Sequence, residues 1–577
     1  MTLIHNTAKT DKTMKRIKLY ALLVAVASLG LYSCIDETVP NSSTVTSEQL
    51  AASTSGLEAL ASGIPAQLTQ GYLVYGSQVH ETDLAFPQYM LAQTNMLGDM
   101  YPCSANSGYD WFYNYNTYAS TYGETSYMAY LPWFTLYQFI KSANDIIGTI
   151  DFDDTENLTS TALAIGGAAY ACRAFYYYTL MYLFEPVRNI YTDCSDVLYT
   201  NDDGEEWGYT VVLVTDETTA EEAAYNPRVT HDSLVAFIHS DLDKAEIGLA
   251  DGDAGTGLPN LAATYAIRAK VYLWDKEYAL AAEYAQKAID EAGVEPMTED
   301  EWTDPTTAFA YACDSWIWYA SYAAENMGNL CNYTGWASPE SDWGYASLTQ
   351  PQIDASLYDH IQDTDFRKHV FLDGTGSSYY KYETCRDQDF LDGLEPYTAL
   401  KIRCKDGNYS DYTVGGAVDI PIIRIEEMYL IRAEALTLSE GADAGRAALN
   451  SFVQTYRDPA YNCTLTSKRE VLEEIIWQER IEFWAEGTAF PSAKRAKTGC
   501  MQYYTGTNAP SNPYHRNCKG IKPNWILCIP IYEIQNNPAL EDWNNPDPTN
   551  CTDYTTTPLD EYSEGNGYED GPYEGED

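Results

Sequence analysis

Residues 265–290 read YAIRAKVYLWDKEYALAAEYAQKAID, and the reading of this stretch decides the fold. Ala281, Tyr284, Ala285, Ala288 and Ile289 recur at helical spacing, and the small side chains let a partner helix approach closely. Upstream, Tyr265–Leu273 is a second apolar, alanine-rich helix, so the stretch is helix, short break, helix. The same phrase, Arg-Ala within an apolar helix, returns at ACRAFYYYTL (171–180) and LIRAEAL (430–436). The latter continues across Ser439-Glu440-Gly441 into AGRAALNSFVQTY (444–456), again a helix pair. These are tetratricopeptide-type hairpins, and their irregular spacing makes them units of one globular fold, not a tandem solenoid.

Further helices are legible at 132–150, 231–249 and 467–487. Between the helices lie long stretches rich in Gly, Asn, Asp and aromatic residues, at 95–125, 191–228, 300–350 and 373–420. Loops of that length in a compact domain are usually functional. The expected fold class is predominantly α, a helical scaffold carrying elaborate loops with little strand.

The chain has 50 Tyr against 15 Phe, so its rings are skewed toward those with a polar handle, suited to wet recognition surfaces. Its formal net charge of -50 repels phosphate backbones, which excludes nucleic acid as a partner and favours a neutral or cationic ligand. Part of that charge lies in residues 556–577, whose composition predicts a disordered acidic tail.

At the amino terminus, Met14-Lys-Arg-Ile-Lys18 and the apolar run LYALLVAVASLGLY (19–32) form a secretory signal, with residues 1–13 read as an upstream extension. Leu31-Tyr-Ser-Cys34 resembles a bacterial lipobox, which predicts acylation of Cys34 after removal of residues 1–33. An acyl anchor ties such a chain to a membrane. The acidic Asp36-Glu37 resembles a surface-export signal of Bacteroidetes lipoproteins, and residues 34–50 form a polar tether to a body spanning 51–555. Twelve further Cys remain, none spaced C-x-x-C, so zinc ribbons and thioredoxin-type sites are not expected. Their pairing is open, and Cys172 reads as a core residue.

A series of phrases in fixed order resembles the SusD/RagB family of outer-membrane nutrient-binding lipoproteins. They include WFTLYQFIKSANDII (133–147), RAFYYYTLMYLFEP (173–186), Arg228-Val-Thr230 leading into 238–245, and Tyr265–Ile289. Later come Leu357–Ile361 with Asp365–Lys368, PIIRIEEMYLIRAE (421–434), Glu479–Gly487 and IPIYEIQNNP (529–538). The chain departs from the family pattern at Thr488–Arg495, where Ala489 and Ser492 stand in place of an Arg and an Asp. The resemblance implies four tetratricopeptide-like hairpins against a loop-rich ligand-binding region. It also implies a partner, a SusC-like TonB-dependent transporter in the outer membrane that receives captured glycan.

The chemistry legible in the residues is that of binding. Glu473, Glu474, Glu479, Glu482 and Glu486 offer the paired carboxylates a glycosidase needs, but carboxylates on one helix point the same way, and nearby Arg480 favours structural ion pairs. The seven His form no H-E-x-x-H, and the acidic turns 201–206 and 251–255 lack EF-hand spacing. No phosphate loop or G-x-S-x-G is present, and no cofactor or metal is expected. What remains is rings with amides and carboxylates. A pyranose stacks an apolar face on a flat ring and needs partners for its hydroxyls.

The candidate ligand residues fall in two sets: Asp99, Tyr109, Asp110, Trp111, Asn114 and Asn116, and Trp316, Trp318, Tyr333, Trp336 and Trp343. For any single ring, packing of a loop on the scaffold is an equal alternative. The expected function is non-enzymatic capture of an oligosaccharide or polysaccharide at the cell surface. Capture of a basic peptide, a protein-binding scaffold and a secreted glycosidase are the competing readings.

Overall fold

A computed structural model describes residues 54–70, 86–105, 113, 122–189, 191–327, 332–375, 382–510, 514–550 and 558. The signal segment, Cys34, the tether and the acidic tail apart from Pro558 lie outside the described residues.

The helices that build the body are α1 (Thr54–Leu68), α2 (Phe86–Leu97), α3 (Tyr127–Ile147), α4 (Ser160–Phe184), α5 (His231–Leu249), α6 (Leu261–Trp274), α7 (Tyr278–Ala292), α8 (Tyr333–Ala337), α9 (Ile425–Glu440), α10 (Ala442–Tyr456), α11 (Lys468–Glu482), α12 (Ala489–Arg495) and α13 (Ile531–Asn536). From α3 onward most long helices pack on the next in sequence: α3 on α4, α4 on α5, α5 on α6, α6 on α7, then α7 on α9, α9 on α10 and α10 on α11. The breaks within α6–α7 and α9–α10 are short, so each of these two pairs folds as a hairpin, whereas residues 185–230 separate α4 from α5 and residues 293–424 separate α7 from α9. Gly441, at φ 105°, supplies the left-handed turn that joins α9 to α10.

The hairpin reading of 265–290 is what the structure shows. The helix read at 132–150 begins earlier, at Tyr127, because the Ser126 hydroxyl accepts from the Met128 N–H and caps it.

Small residues set the closest helix approach. A Cβ on Gly248 of α5 would lie 2.5 Å from the Leu163 carbonyl oxygen and 2.7 Å from the Cα of Gly167, both on α4. The Arg-Ala phrases clamp the same helices. Arg173 of α4 makes a two-pronged contact with Asp241 at 2.7 and 2.8 Å, while Arg268 of α6 reaches Asp243 and Glu246, each at 2.7 Å. Helix α5 thus carries carboxylates for two different neighbours on its two sides.

Strand content is small. Among the described residues, four antiparallel two-stranded sheets pair β1 (Met100–Tyr101) with β5 (Gln352–Ile353), β2 (Leu198–Thr200) with β3 (Glu206–Gly208), β4 (Trp318–Ser321) with β6 (Asp419–Ile423), and β7 (Cys500–Met501) with β8 (Asn517–Cys518). Cys172 is fully buried in α4, as its surroundings suggested. No helix among the described residues is long and apolar enough to cross a membrane.

Candidate functional site

The carboxylates of α11 are not a catalytic pair. Glu482 is fully buried and accepts from Arg367 at 3.0 Å, Arg424 at 3.1 Å and Arg457 at 2.8 Å, and these cations hold its carboxyl far below the usual range. Glu486 binds Lys401 at 2.6 Å and Arg424 at 2.8 Å. Arg457 also reaches Glu426 of α9 and the Met297 carbonyl. The network ties α9 and α11 to the segments around Arg367, Lys401 and Met297, with no open face for a substrate.

Glu479 differs from its neighbours. Burial, with the nearby Glu434 charge, pushes its carboxyl up to about 8, and one of its oxygens has no partner among the described residues. This is where the chain departs from the family pattern: Ser492 offers a hydroxyl and Ala489 no cation. Lys494 turns away to the Tyr182 and Glu185 carbonyls at 2.6 and 3.0 Å, and burial lowers it to about 7.

The acidic turns bind themselves. Asn201 Oδ1 accepts from the Asp203 and Glu205 N–H groups, and Asp253 Oδ1 from that of Gly255. Among the described residues, no group of three His, Cys, Asp or Glu could hold a metal ion.

Of the first ligand set, Tyr109, Asp110, Trp111, Asn114 and Asn116 lie outside the described residues. Asp99 is described. It is 1% exposed, and Arg480 donates to both of its carboxylate oxygens at 2.5–3.1 Å, which holds it at the start of β1. The described flanks of the ring-rich loop run beside residues 345–353. Met100 and Tyr101 pair with Ile353 and Gln352, the Cys103 N–H donates to the Thr349 carbonyl at 2.7 Å, and the buried Tyr113 hydroxyl lies beside the Thr349 side chain.

The second set meets that same segment in part. Trp336 of α8 stacks on Tyr345 at 4.5 Å and 28°, and Trp343 packs so closely on Gly415 that a Cβ there would lie 2.7 Å from its ring. Tyr333 donates to the Ala485 carbonyl at 3.2 Å. Trp316 and Trp318 sit apart from these: the Trp316 N–H meets Met297 Sδ at 3.3 Å, and the Trp318 N–H donates to the Gly257 carbonyl at 3.0 Å. All five rings are buried, so packing, the alternative left open for each, describes them in this conformation. Tyr345, Ser347, Gln350 and the half-exposed Leu348 are the partly open residues of this edge, and a ring count in sequence does not single them out.

The described body is therefore a scaffold of packed helices with no assembled catalytic centre among the described residues. Comparison with known proteins gives it a family. A model described as starch-binding associating with outer membrane matches residues 78–273, and the SusD family model matches residues 395–547. SusD-like protein P2 of Formosa agariphila is 25% identical over 452 residues, which is 74% of this chain and 82% of that protein.

Among solved structures, a SusD-like carbohydrate binding protein from Bacteroides vulgatus superposes with a TM-score of 0.64 at 18% identity, over 85% of this chain and 98% of its own. A SusD superfamily protein from Bacteroides thetaiotaomicron gives 0.59 at 18%, over 87% and 100%. A laminarin binding SusD-like protein gives 0.56 at 18%, over 85% and 98%. The chain belongs to the SusD/RagB family of carbohydrate-binding proteins associated with the outer membrane.

Proposed function

We propose that this protein is a lipid-anchored, non-enzymatic receptor at the outer face of the outer membrane. It captures an oligosaccharide or polysaccharide and delivers it to a SusC-like TonB-dependent transporter. The observation that carries the reading is the match, in chain order, of both halves of the chain to SusD-type carbohydrate-binding families. The Cys34 lipobox supports the anchor, and the rings and amides of the 108–118 loop support the ligand class. We assign the main contacts to Trp111 and Tyr109 as stacking rings and to Asp110, Asn114 and Asn116 as hydroxyl partners.

Native affinity gels with laminarin and a panel of neutral polysaccharides test the capture. At least one polysaccharide retards the wild type without release of reducing ends, and Trp111→Ala weakens that binding by about tenfold or more, the loss expected of an aromatic hot spot. Retention of a basic peptide, undiminished in Trp111→Ala, would replace glycan by peptide as the cargo. Cys34→Ala protein leaves the membrane fraction.

A further inference from the structure

A cleft of about 480 Å3 opens between one side of α3, the 212–226 segment and residues 530–537. It shares no lining residue with the 343–353 edge described above. Its volume falls within the range of about 300–1,000 Å3 typical of small-molecule sites.

Helix α3 carries two aromatic pairs, each spaced four residues apart. Trp133 and Tyr137 face inward, with Trp133 against Phe184 of α4 and the Tyr137 hydroxyl donating to the Val212 carbonyl at 2.6 Å. Tyr130 and Phe134 lie one stripe over, partly exposed, their centroids 5.3 Å apart and their planes 18° from parallel. The first pair packs on α4, and both pairs border the cleft. Tyr532 of α13, 47% exposed, stands at 71° to Tyr130 with centroids 5.7 Å apart, so the rings form two walls of a corner.

The polar groups complete the chemistry. Glu533 lies on the lining beside Trp133 and Asn537, and burial raises its pKa. The amides of Asn226 and Asn536 lie on the lining, oriented by bonds to the Leu213 and Tyr532 carbonyls at 2.8 and 2.7 Å. The lining contains no Lys, Arg or His among the described residues. A concave corner of rings with a carboxyl and amides, and without a cation, suits a neutral polyhydroxylated ring and disfavours a uronate or a phosphate.

We propose that this cleft is a second carbohydrate subsite, taking one or two neutral pyranose units, with Tyr532 and Tyr130 against sugar faces and Glu533, Asn226 and Asn536 on their hydroxyls. The proposal rests on the glycan-capture reading. It adds a second foothold on a polymer, so that a long chain is held with more than single-site affinity.

The test compares the full-length wild type, Trp111→Ala, Tyr532→Ala, Glu533→Gln and the Trp111→Ala/Tyr532→Ala double variant on the same affinity gels, with thermal melts to verify folding. Tyr532→Ala, at an exposed position, keeps the wild-type melt and weakens retention on the retained polysaccharide by about threefold to tenfold, the range expected for one aromatic contact. Trp111→Ala keeps residual retention that the double variant loses. If Tyr532→Ala and Glu533→Gln both match the wild type while Trp111→Ala loses all retention, the cleft is no subsite and glycan capture stands. If no polysaccharide in the panel retards the wild type, both readings fall.

Discussion

Two regions of this molecule drew attention for the same reason, a density of chemically capable side chains, and the structure treats them differently. Most of the buried carboxylates of α11 have cations that match them, three guanidinium groups converging on Glu482 alone, and Glu479 is the exception. The rings of 316–343 are also buried, yet their polar handles are met unevenly: Trp318 has a carbonyl, Trp316 a thioether sulfur, and the Trp343 N–H has no partner among the described residues. Charge inside a fold must be matched on the spot, whereas a large ring can be buried for its hydrocarbon and leave a weak donor unmet. A cluster of charge is thus a dependable sign of structure, while a cluster of rings says little about which side of the surface it occupies.

The largest test of that contrast is Glu482→Ala. It removes the partner shared by Arg367, Arg424 and Arg457, which keep only Asp365, Glu486 and Glu426 between them, so the loss should be about 3–5 kcal/mol, seen in urea unfolding or as failure to accumulate folded protein. Next, Trp336→Ala removes a buried ring stacked on Tyr345 and costs about 3–5 kcal/mol in the same assay. If Trp336→Ala instead kept wild-type stability and lost glycan, the ring would belong to the ligand and the contrast would break. A smaller effect, about 1–3 kcal/mol, is expected of Gly248→Ala, because the added methyl meets the backbone of α4.

The finest test concerns Glu479, the one member of the α11 row whose carboxyl is pushed up, to about 8. The folded protein keeps this proton above the ordinary glutamate range, where the unfolded chain has released it, so Glu479 lowers stability progressively as pH rises from about 4.5 to about 8. Lys494, depressed to about 7, slopes the opposite way above that pH, so the informative quantity is the difference between wild type and variant. Glu479→Gln should melt higher than wild type at pH 8, with the gap closing toward pH 5. A gap independent of pH would show that the carboxyl is ionised throughout.

The scaffold was legible because a helix writes its buried face at a fixed period, and Ala281, Ala285 and Ala288 are indeed buried. The arginines of the Arg-Ala phrases were visible as a repeat, but their partners lie on α5, where sequence spacing gives no hint that Asp241 and Asp243 face different helices. The second ligand set was not legible in the same way. Trp316 and Trp318 alternate along a segment entering β4, a pattern equally consistent with an exposed loop and with a strand pinned on β6. The Tyr130–Phe134 spacing was available from the start, yet it reads as part of a core helix until α13, more than 390 residues later, supplies the facing wall.

Arg457 touches Glu426 of α9, Glu482 of α11 and the Met297 carbonyl, while Glu482 also holds Arg367 and Arg424. Opening any one of these segments alone would take a partner from a buried ion, so partial unfolding on this side is costly. Amide hydrogens of α9 and α11 should therefore exchange together and late, and a protease arriving from outside finds its early cuts in the loops, with the hairpins yielding only when the whole body does.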